Sequence, residues 1–210
     1  MKLYVTSDFH ISHENIMRYC DRYTDSRVSI NHYISDLFYF LKGLLKPEDV
    51  LLFIGDLACS KDKSINECKR LLELLSCEKH FIRGNHDNWL SDDDLGKIGF
   101  NSVRDYLLVN ETLFCHYPLD TAYGVFGQYS RHKYLWERFY QNPRIKKIIH
   151  GHIHNSPRAM TQDGIERINV SIDAKKSGFT ILEFKDYSPE TIKGFLNSGS
   201  SEFSERLFDL

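Results

Sequence analysis

Ile82-Arg83-Gly84-Asn85-His86-Asp87 sets an amide, an imidazole and a carboxylate side by side, directly after the apolar run at His80-Phe81-Ile82. Placing such a cluster at a strand end is costly unless something charged sits in front of it. Four more places repeat the pattern of an apolar run followed at once by oxygen and nitrogen donors: Asp8-Phe9-His10, Gly55-Asp56, His116 and Gly151-His152-Ile153-His154. The five read as ligand loops of one two-metal site. Carboxylate, imidazole and amide oxygen, with no thiolate among them, suit borderline divalent ions such as Mn²⁺, Fe²⁺, Zn²⁺ or Ni²⁺. The step of two from Asp8 to His10, and again from His152 to His154, puts each pair on one face of an extended segment. Two divalent ions bring about +4 and the carboxylates of Asp8 and Asp56 about −2, so about +2 is left to hold an anionic phosphoryl group.

Strands must carry these donors. Leu3 to Thr6 reads as a first buried strand and Val50 to Ile54, a continuous apolar run, as a second. His80-Phe81-Ile82 is a third. Between them, apolar residues at Ile30, Ile34, Leu37, Phe38, Leu41, Leu44 and Leu45 have helical spacing, with Pro47 just beyond the end. Ser64-Ile65-Asn66-Glu67 fits a capping box for a second helix. Strand, helix, strand, helix, strand over the first ninety residues predicts a parallel sheet.

The second half changes character. Val103 to Val109 and Thr112 to Cys115 flank a two-residue hairpin turn at Asn110-Glu111. A loop with Tyr117, Tyr123, Phe126 and Tyr129 follows, then a helix over Tyr134 to Tyr140 and a strand at Lys147-Ile148-Ile149. Ile165 to Ile172 and Phe179 to Phe184 read as a closing pair of strands, and Ser188-Pro189-Glu190 as the start of a last helix.

The chain has 210 residues and a formal net charge of −2 with acids and bases interspersed, so it lacks the basic surplus of a duplex-coating protein. Its five cysteines are odd in number and form no Cys-x-x-Cys, which argues against a disulfide framework or a zinc knuckle and for a reducing compartment. The apolar stretch at Leu3 to Val5 is too short for a signal peptide, and no run approaches the ~20 apolar residues of a membrane span. The expectation is a cytoplasmic protein without a membrane partner.

The ordered set Asp8-x-His10, Gly55-Asp56, Gly84-Asn85-His86-Asp87, His116 and Gly151-His152-x-His154 resembles the calcineurin-like metallophosphoesterases, and the opening Ser-Asp-x-His-x-x-His-Glu-Asn-Ile resembles their small stand-alone bacterial and phage members. The resemblance implies an α/β fold, a four-layer α/β/β/α sandwich of two mixed sheets, over a domain of residues 1–196 with 197–210 as a flexible or helical tail. It implies that Asp8, His10 and His154 hold one metal, that Asn85, His116 and His152 hold a second, and that Asp56 bridges both. A hydroxide between the ions, with manganese the first choice and iron, zinc or nickel the others, attacks phosphorus. His86 protonates the leaving oxygen or stabilises charge on the phosphoryl group, and Asp87 orients His86 or caps the next helix. The implied substrate is a phosphoester, a diester first, belonging to a phosphorylated small molecule, a nucleotide or a nucleic-acid end. A phosphomonoesterase, a nucleoside polyphosphate hydrolase and a non-catalytic metal-binding scaffold are the alternatives.

Further residues have weaker claims. His13 and Asn15 lie near the first loop and could touch substrate. Asp173 could orient a ligand from behind, and His150 shape the turn before Gly151. His32, His80 and His132 read as surface or partly buried groups, Arg18, Arg131 and Lys133 as solvated ones. The aromatic loop from Tyr117 to Ser130 is the candidate substrate wall.

Overall fold

A computed structural model of the chain describes residues 1–22, 28–59, 61–120, 130–156, 159–174 and 181–197. Among these residues, ten strands form two mixed five-stranded sheets. In the first, β1 (Leu3–Thr6), β2 (Val50–Ile54), β3 (Glu78–Ile82) and β4 (Ser102–Arg104) run parallel in that order, and β10 (Leu182–Phe184) pairs antiparallel with β1. The second has the order β5 (Leu107–Val109), β6 (Thr112–Phe114), β7 (Lys147–His150), β9 (Ile165–Asn169) and β8 (Ala159–Gln162). Its three inner strands are parallel and both edge pairs antiparallel.

Alternation along the strands explains the layering, because successive side chains point to opposite faces. Leu3, Val5, Val50, Leu52, Ile54 and Ile82 point away from the helices, into one buried cluster with Leu107, Val109, Phe114 and Ile149 of the second sheet. Their neighbours Tyr4, Leu51, Phe53 and Phe81 point the other way. There they meet α2 (Ile30–Leu44), α3 (Lys61–Leu72) and α4 (Asp92–Lys97). Leu113 and Ile148 on the far face of the second sheet pack against Leu135 and Phe139 of α5 (Ser130–Phe139). The result is the expected four-layer α/β/β/α sandwich. The short helix α1 (Ile16–Tyr19) follows the first ligand loop, and α6 (Pro189–Asn197) buries Ile192 and Leu196 with the inter-sheet cluster. No helix among the described residues is long and apolar enough to cross a membrane.

Local chemistry places the boundaries. The Ser29 side chain caps α2 by accepting the His32 amide, and Ser91 with Asp94 forms a complete capping box at α4. The box expected at Ser64 is not one: α3 already begins at Lys61, and Ser64 is buried inside it. The single strand expected over Val103 to Val109 is two. Arg104 pairs with Ile82 in the first sheet and Leu107 with Phe114 in the second, so the chain changes sheet at Asp105-Tyr106. The hairpin turn at Asn110-Glu111 stands, with Asn110 at φ 53° and Val109 opposite Thr112. The expected closing pair also separates, since β9 pairs with β7 and β8 while β10 lies on the far edge of the first sheet beside β1. An apolar pattern identifies a strand but not its partner. Most of the aromatic loop, residues 121–129, and of the tail, 198–210, lies outside the described residues.

Candidate metal centre

Every proposed donor leaves the carboxyl end of a parallel strand. Asp8 and His10 follow β1, Asp56 follows β2, Asn85 and His86 follow β3, His116 follows β6, and His152 and His154 follow β7. The ends of the two sheets meet here: Ser7 bridges to Ser171 after β9, and Ile172 donates its amide to the Ser7 carbonyl at 3.2 Å. The first two loops run alongside each other, with Asp8 N–H to Gly55 O at 3.0 Å, His10 N–H to Asp56 O at 3.0 Å and Ile11 N–H to Leu57 O at 2.9 Å.

Five donor residues hold left-handed backbone: Asp8 (φ 62°), His10 (50°), Asp56 (58°), His152 (70°) and His154 (35°). Non-glycine residues adopt this region uncommonly, and such strain persists where surroundings over-determine it, often at functional sites. Gly55 shows how tightly they do so. Its φ is +74°, and a Cβ there would lie 2.6 Å from both the Gly84 amide nitrogen and His116 Nδ1.

Side chains converge on Asp56. Its Oδ2 lies 3.6 Å from His10 Nε2 and 3.2 Å from His116 Nε2, and its Oδ1 accepts the His86 amide at 2.9 Å. Asp8, His10 and His154 place their donor atoms within 4.8 Å of one another, and so do Asp56, His116 and His152. Asp8 Oδ1 is 3.9 Å from His10 Nε2 and 3.8 Å from His154 Nε2. His10 Nε2 and Asn85 Oδ1 are buried without a hydrogen-bond partner among the described residues, and His116 Nε2 is buried with the Asp56 carboxylate before it but no bond of good geometry. Orphaned buried donors and acceptors are costly. These three are the atoms the metal reading assigns as ligands, so the residues fit divalent cations.

A second rank of contacts aims these side chains. His116 Nδ1 faces the Ile54 carbonyl at 2.9 Å and His154 Nδ1 the Asp173 carboxylate at 2.7 Å, each leaving Nε2 towards the centre. Asp173 therefore stands behind His154, the candidate ligand. Arg22 holds Asp173 in turn, with Nε and Nη2 each 2.9 Å from a carboxylate oxygen, and it also donates to the carbonyls of Phe9 and Asp8 at 2.7 and 2.6 Å. Sequence reasoning misses Arg22: it belongs to no motif and precedes no strand. Its position fourteen residues past Asp8, outside any helix or strand, carries no recognisable signal.

Asp87 stands under the loops. Its Oδ2 accepts the amides of Asp56 and Gly84, both at 2.7 Å, and its Oδ1 that of Leu57 at 3.1 Å. His86 instead has Cys59 as neighbour, with Nδ1 3.6 Å from Sγ, and its ring meets that of His10 at 5.1 Å. His13 joins the same group, its ring 5.6 Å from that of His10, whereas Asn15 is exposed.

Electrostatics favour positive charge here. Burial works against a charged His116, yet the Asp56 carboxylate outweighs it and raises the imidazole to about 9. At His154 burial is likewise overcome, by Asp8 and Asp173, and the group reaches about 11. His152, with burial and then His116 against it, falls to about 3. Burial raises Asp8, whereas His116 holds Asp56 far down against the same penalty. Burial, then the Asp56 and Asp87 charges, push the Cys59 thiol up to about 12.

Several peripheral expectations change. His80 is fully buried between Glu78 and Ser102, and His132 is buried with its ring stacked 4.5 Å from that of Tyr117. Arg131 is tied down, donating to Asp105, to the Gly84 carbonyl and to Asn88. Arg18 and His32 are exposed, and His150 faces the Gly151 carbonyl at 2.9 Å, as expected.

Comparison with known proteins agrees with this geometry. The family model described as calcineurin-like phosphoesterase matches residues 1–156. The chain is 31% identical over 147 residues to the uncharacterized protein MJ1445 of Methanocaldococcus jannaschii, covering 70% of this chain and 79% of the relative. Its fold is similar to that of the protein of unknown function AQ665 from Aquifex aeolicus, with a TM-score of 0.59, 26% identity and coverage of 82% and 90% of the two chains. With two mixed sheets delivering carboxylate, imidazole and amide donors to one crevice, the chain belongs to the calcineurin-like phosphoesterase family, whose members hydrolyse phosphoesters with divalent metals.

Proposed function

We propose that the chain is a phosphodiesterase working with two divalent ions, one held by Asp8, His10 and His154, the other by Asn85, His116 and His152, with Asp56 shared. The observation that carries this is Asp56 Oδ2 lying between the buried Nε2 atoms of His10 and His116. Two ions bound there supply Lewis acidity, lowering the pKa of a water nucleophile and neutralising the phosphoryl oxygens. Manganese is the proposed metal, with iron, zinc and nickel accepting the same donors.

The chain's own residues divide the remaining work. His86 protonates the leaving oxygen or stabilises charge on the phosphoryl group by hydrogen bonding; either helps an alkoxide depart and so favours a diester. Asp87 is a positioning residue: by holding the amides of Gly84, Asp56 and Leu57 it keeps the second and third loops in register. Asp173 and Arg22 hold His154. The hydrolase unit is residues 1–196, with 197–210 outside it, and it acts in the cytoplasm on a nucleotide, a nucleic-acid end or another phosphorylated small molecule. The described cysteines, all free thiols, suit that compartment.

The test is hydrolysis of bis-p-nitrophenyl phosphate against p-nitrophenyl phosphate, with and without added Mn²⁺. Metal-dependent release from the diester is the expected result. Activity confined to the monoester moves the reading to a phosphomonoesterase or polyphosphate hydrolase. Turnover of neither, across a panel of phosphorylated compounds and metals, leaves a non-catalytic scaffold.

A further inference from the structure

Cys59 lies between two histidines of the centre, its Sγ 3.5 Å from His10 Nδ1 and 3.6 Å from His86 Nδ1. His10 turns Nε2 towards Asp56 Oδ2. A neutral imidazole that ligates through Nε2 carries its proton on Nδ1, and that N–H needs an acceptor. The Cys59 sulfur stands where the acceptor must be. A thiol accepts weakly and also has one S–H to donate. Its other neighbour is His86 Nδ1, and a neutral imidazole accepting at Nδ1 keeps its own proton on Nε2.

We propose that Cys59 is a positioning residue that relays a hydrogen bond from His10 Nδ1–H through its thiol to His86 Nδ1, setting His10 to ligate through Nε2 and His86 to present Nε2–H as a hydrogen-bond donor to the phosphoryl group. The catalytic value of this relay rests on the proposed role of His86; its hydrogen-bond pattern does not. Both bonds involve sulfur and are weak, so the relay acts on ring orientation and tautomer more than on folding. It also links a ligand of the first metal to His86 without passing through substrate.

The test uses zinc-loaded protein, zinc being diamagnetic, with ¹⁵N-labelled histidine. Long-range ¹H–¹⁵N correlation reports the tautomer of each ring, and His86→Asn identifies the His86 signals. The wild type should show His86 as the Nε2–H tautomer. Cys59→Ala should give a mixture of tautomers, and Cys59→Ser should restore the single form. A wild-type His86 protonated on Nδ1, or a tautomer unmoved in Cys59→Ala, overturns the relay; the first needs no variant to fold. On the diester probe, Cys59→Ala should lower kcat about tenfold at unchanged KM and metal content, with Cys59→Ser recovering most of it. Metal lost from Cys59→Ala would overturn the relay too, by making Cys59 part of the metal's own support. A wild type that cleaves no phosphoester sinks the phosphodiesterase reading and leaves the tautomer result standing.

Discussion

Arg22 grips Asp173 at two points, Nε to Oδ1 and Nη2 to Oδ2, both 2.9 Å, across 151 residues of sequence. Both side chains are almost fully buried, and Asp173 passes the hold to His154 at 2.7 Å. Arg22→Gln should therefore do two things. It leaves a buried carboxylate without its charge partner, which costs about 3–5 kcal/mol, and it frees His154, which lowers affinity for the metal on that side about 10–100-fold. Arg22→Lys should recover only part, because an ammonium cannot make the forked contact and reach the Phe9 and Asp8 carbonyls as well. Calorimetric unfolding and metal titration check both; affinity unchanged in Arg22→Gln would show that Asp173 orients His154 unaided.

Asp87 and His86 are neighbours in sequence with separate duties, and variants should separate them. Asp87→Asn turns one accepting oxygen into an amino group facing backbone N–H donors of Asp56, Gly84 or Leu57. The expected loss is about 1–3 kcal/mol of stability, read by urea unfolding, with turnover falling as the loops loosen. His86→Ala should leave stability and metal content near wild type while slowing diester hydrolysis by about 10²–10⁴. Metal loss from His86→Ala would make His86 a ligand and leave the proton donor to be found elsewhere.

How much of this is legible in sequence depends on where each residue sits. Asp8, Asp56, Asn85, His116 and His152 stand out because each comes after an apolar strand, where a polar side chain calls for a reason. Arg22 does not, since its value lies in a partner on the far side of the chain. The break at Asp105-Tyr106 is equally silent: no glycine or proline between Val103 and Val109 marks a boundary, and only the two packed sheets decide that Arg104 and Leu107 belong to different ones. Ser64 misleads for a local reason, its capping-box neighbours being one turn inside a helix that starts earlier.

Asp56 should be the residue whose loss empties the whole centre. Asp56→Asn keeps the shape but removes the charge facing both His10 and His116, so both ions should weaken together. His154→Ala removes a donor from the group with Asp8 and His10 and none from the group with Asp56, His116 and His152, so it should cost one ion. Metal counted per chain after dialysis should give two in the wild type, near zero in Asp56→Asn and about one in His154→Ala. A single ion remaining in Asp56→Asn would reassign Asp56 to one metal.

Acid should weaken the fold partly through His80, remote from the metal centre. Burial lowers the pKa of His80 against the opposing pull of Glu78, and the ring is fully enclosed with Ser102 on its other nitrogen. Above the unfolded value of about 6.5 both states are neutral and the group contributes nothing to the pH dependence. As pH falls below it, the unfolded chain takes the proton first, so stability drops, by at most about 1.4 kcal/mol per pH unit for one group. The drop ends once pH passes the lowered folded value. His80→Gln keeps a polar group beside Glu78 and Ser102 but cannot titrate. Its melting temperature should be lower than wild type at pH 8, and the gap should narrow towards pH 5 as the wild type alone incurs this penalty. A gap constant across that range would mean that His80 accepts its proton in the folded protein as readily as in the unfolded one, with Glu78 cancelling the cost of burial.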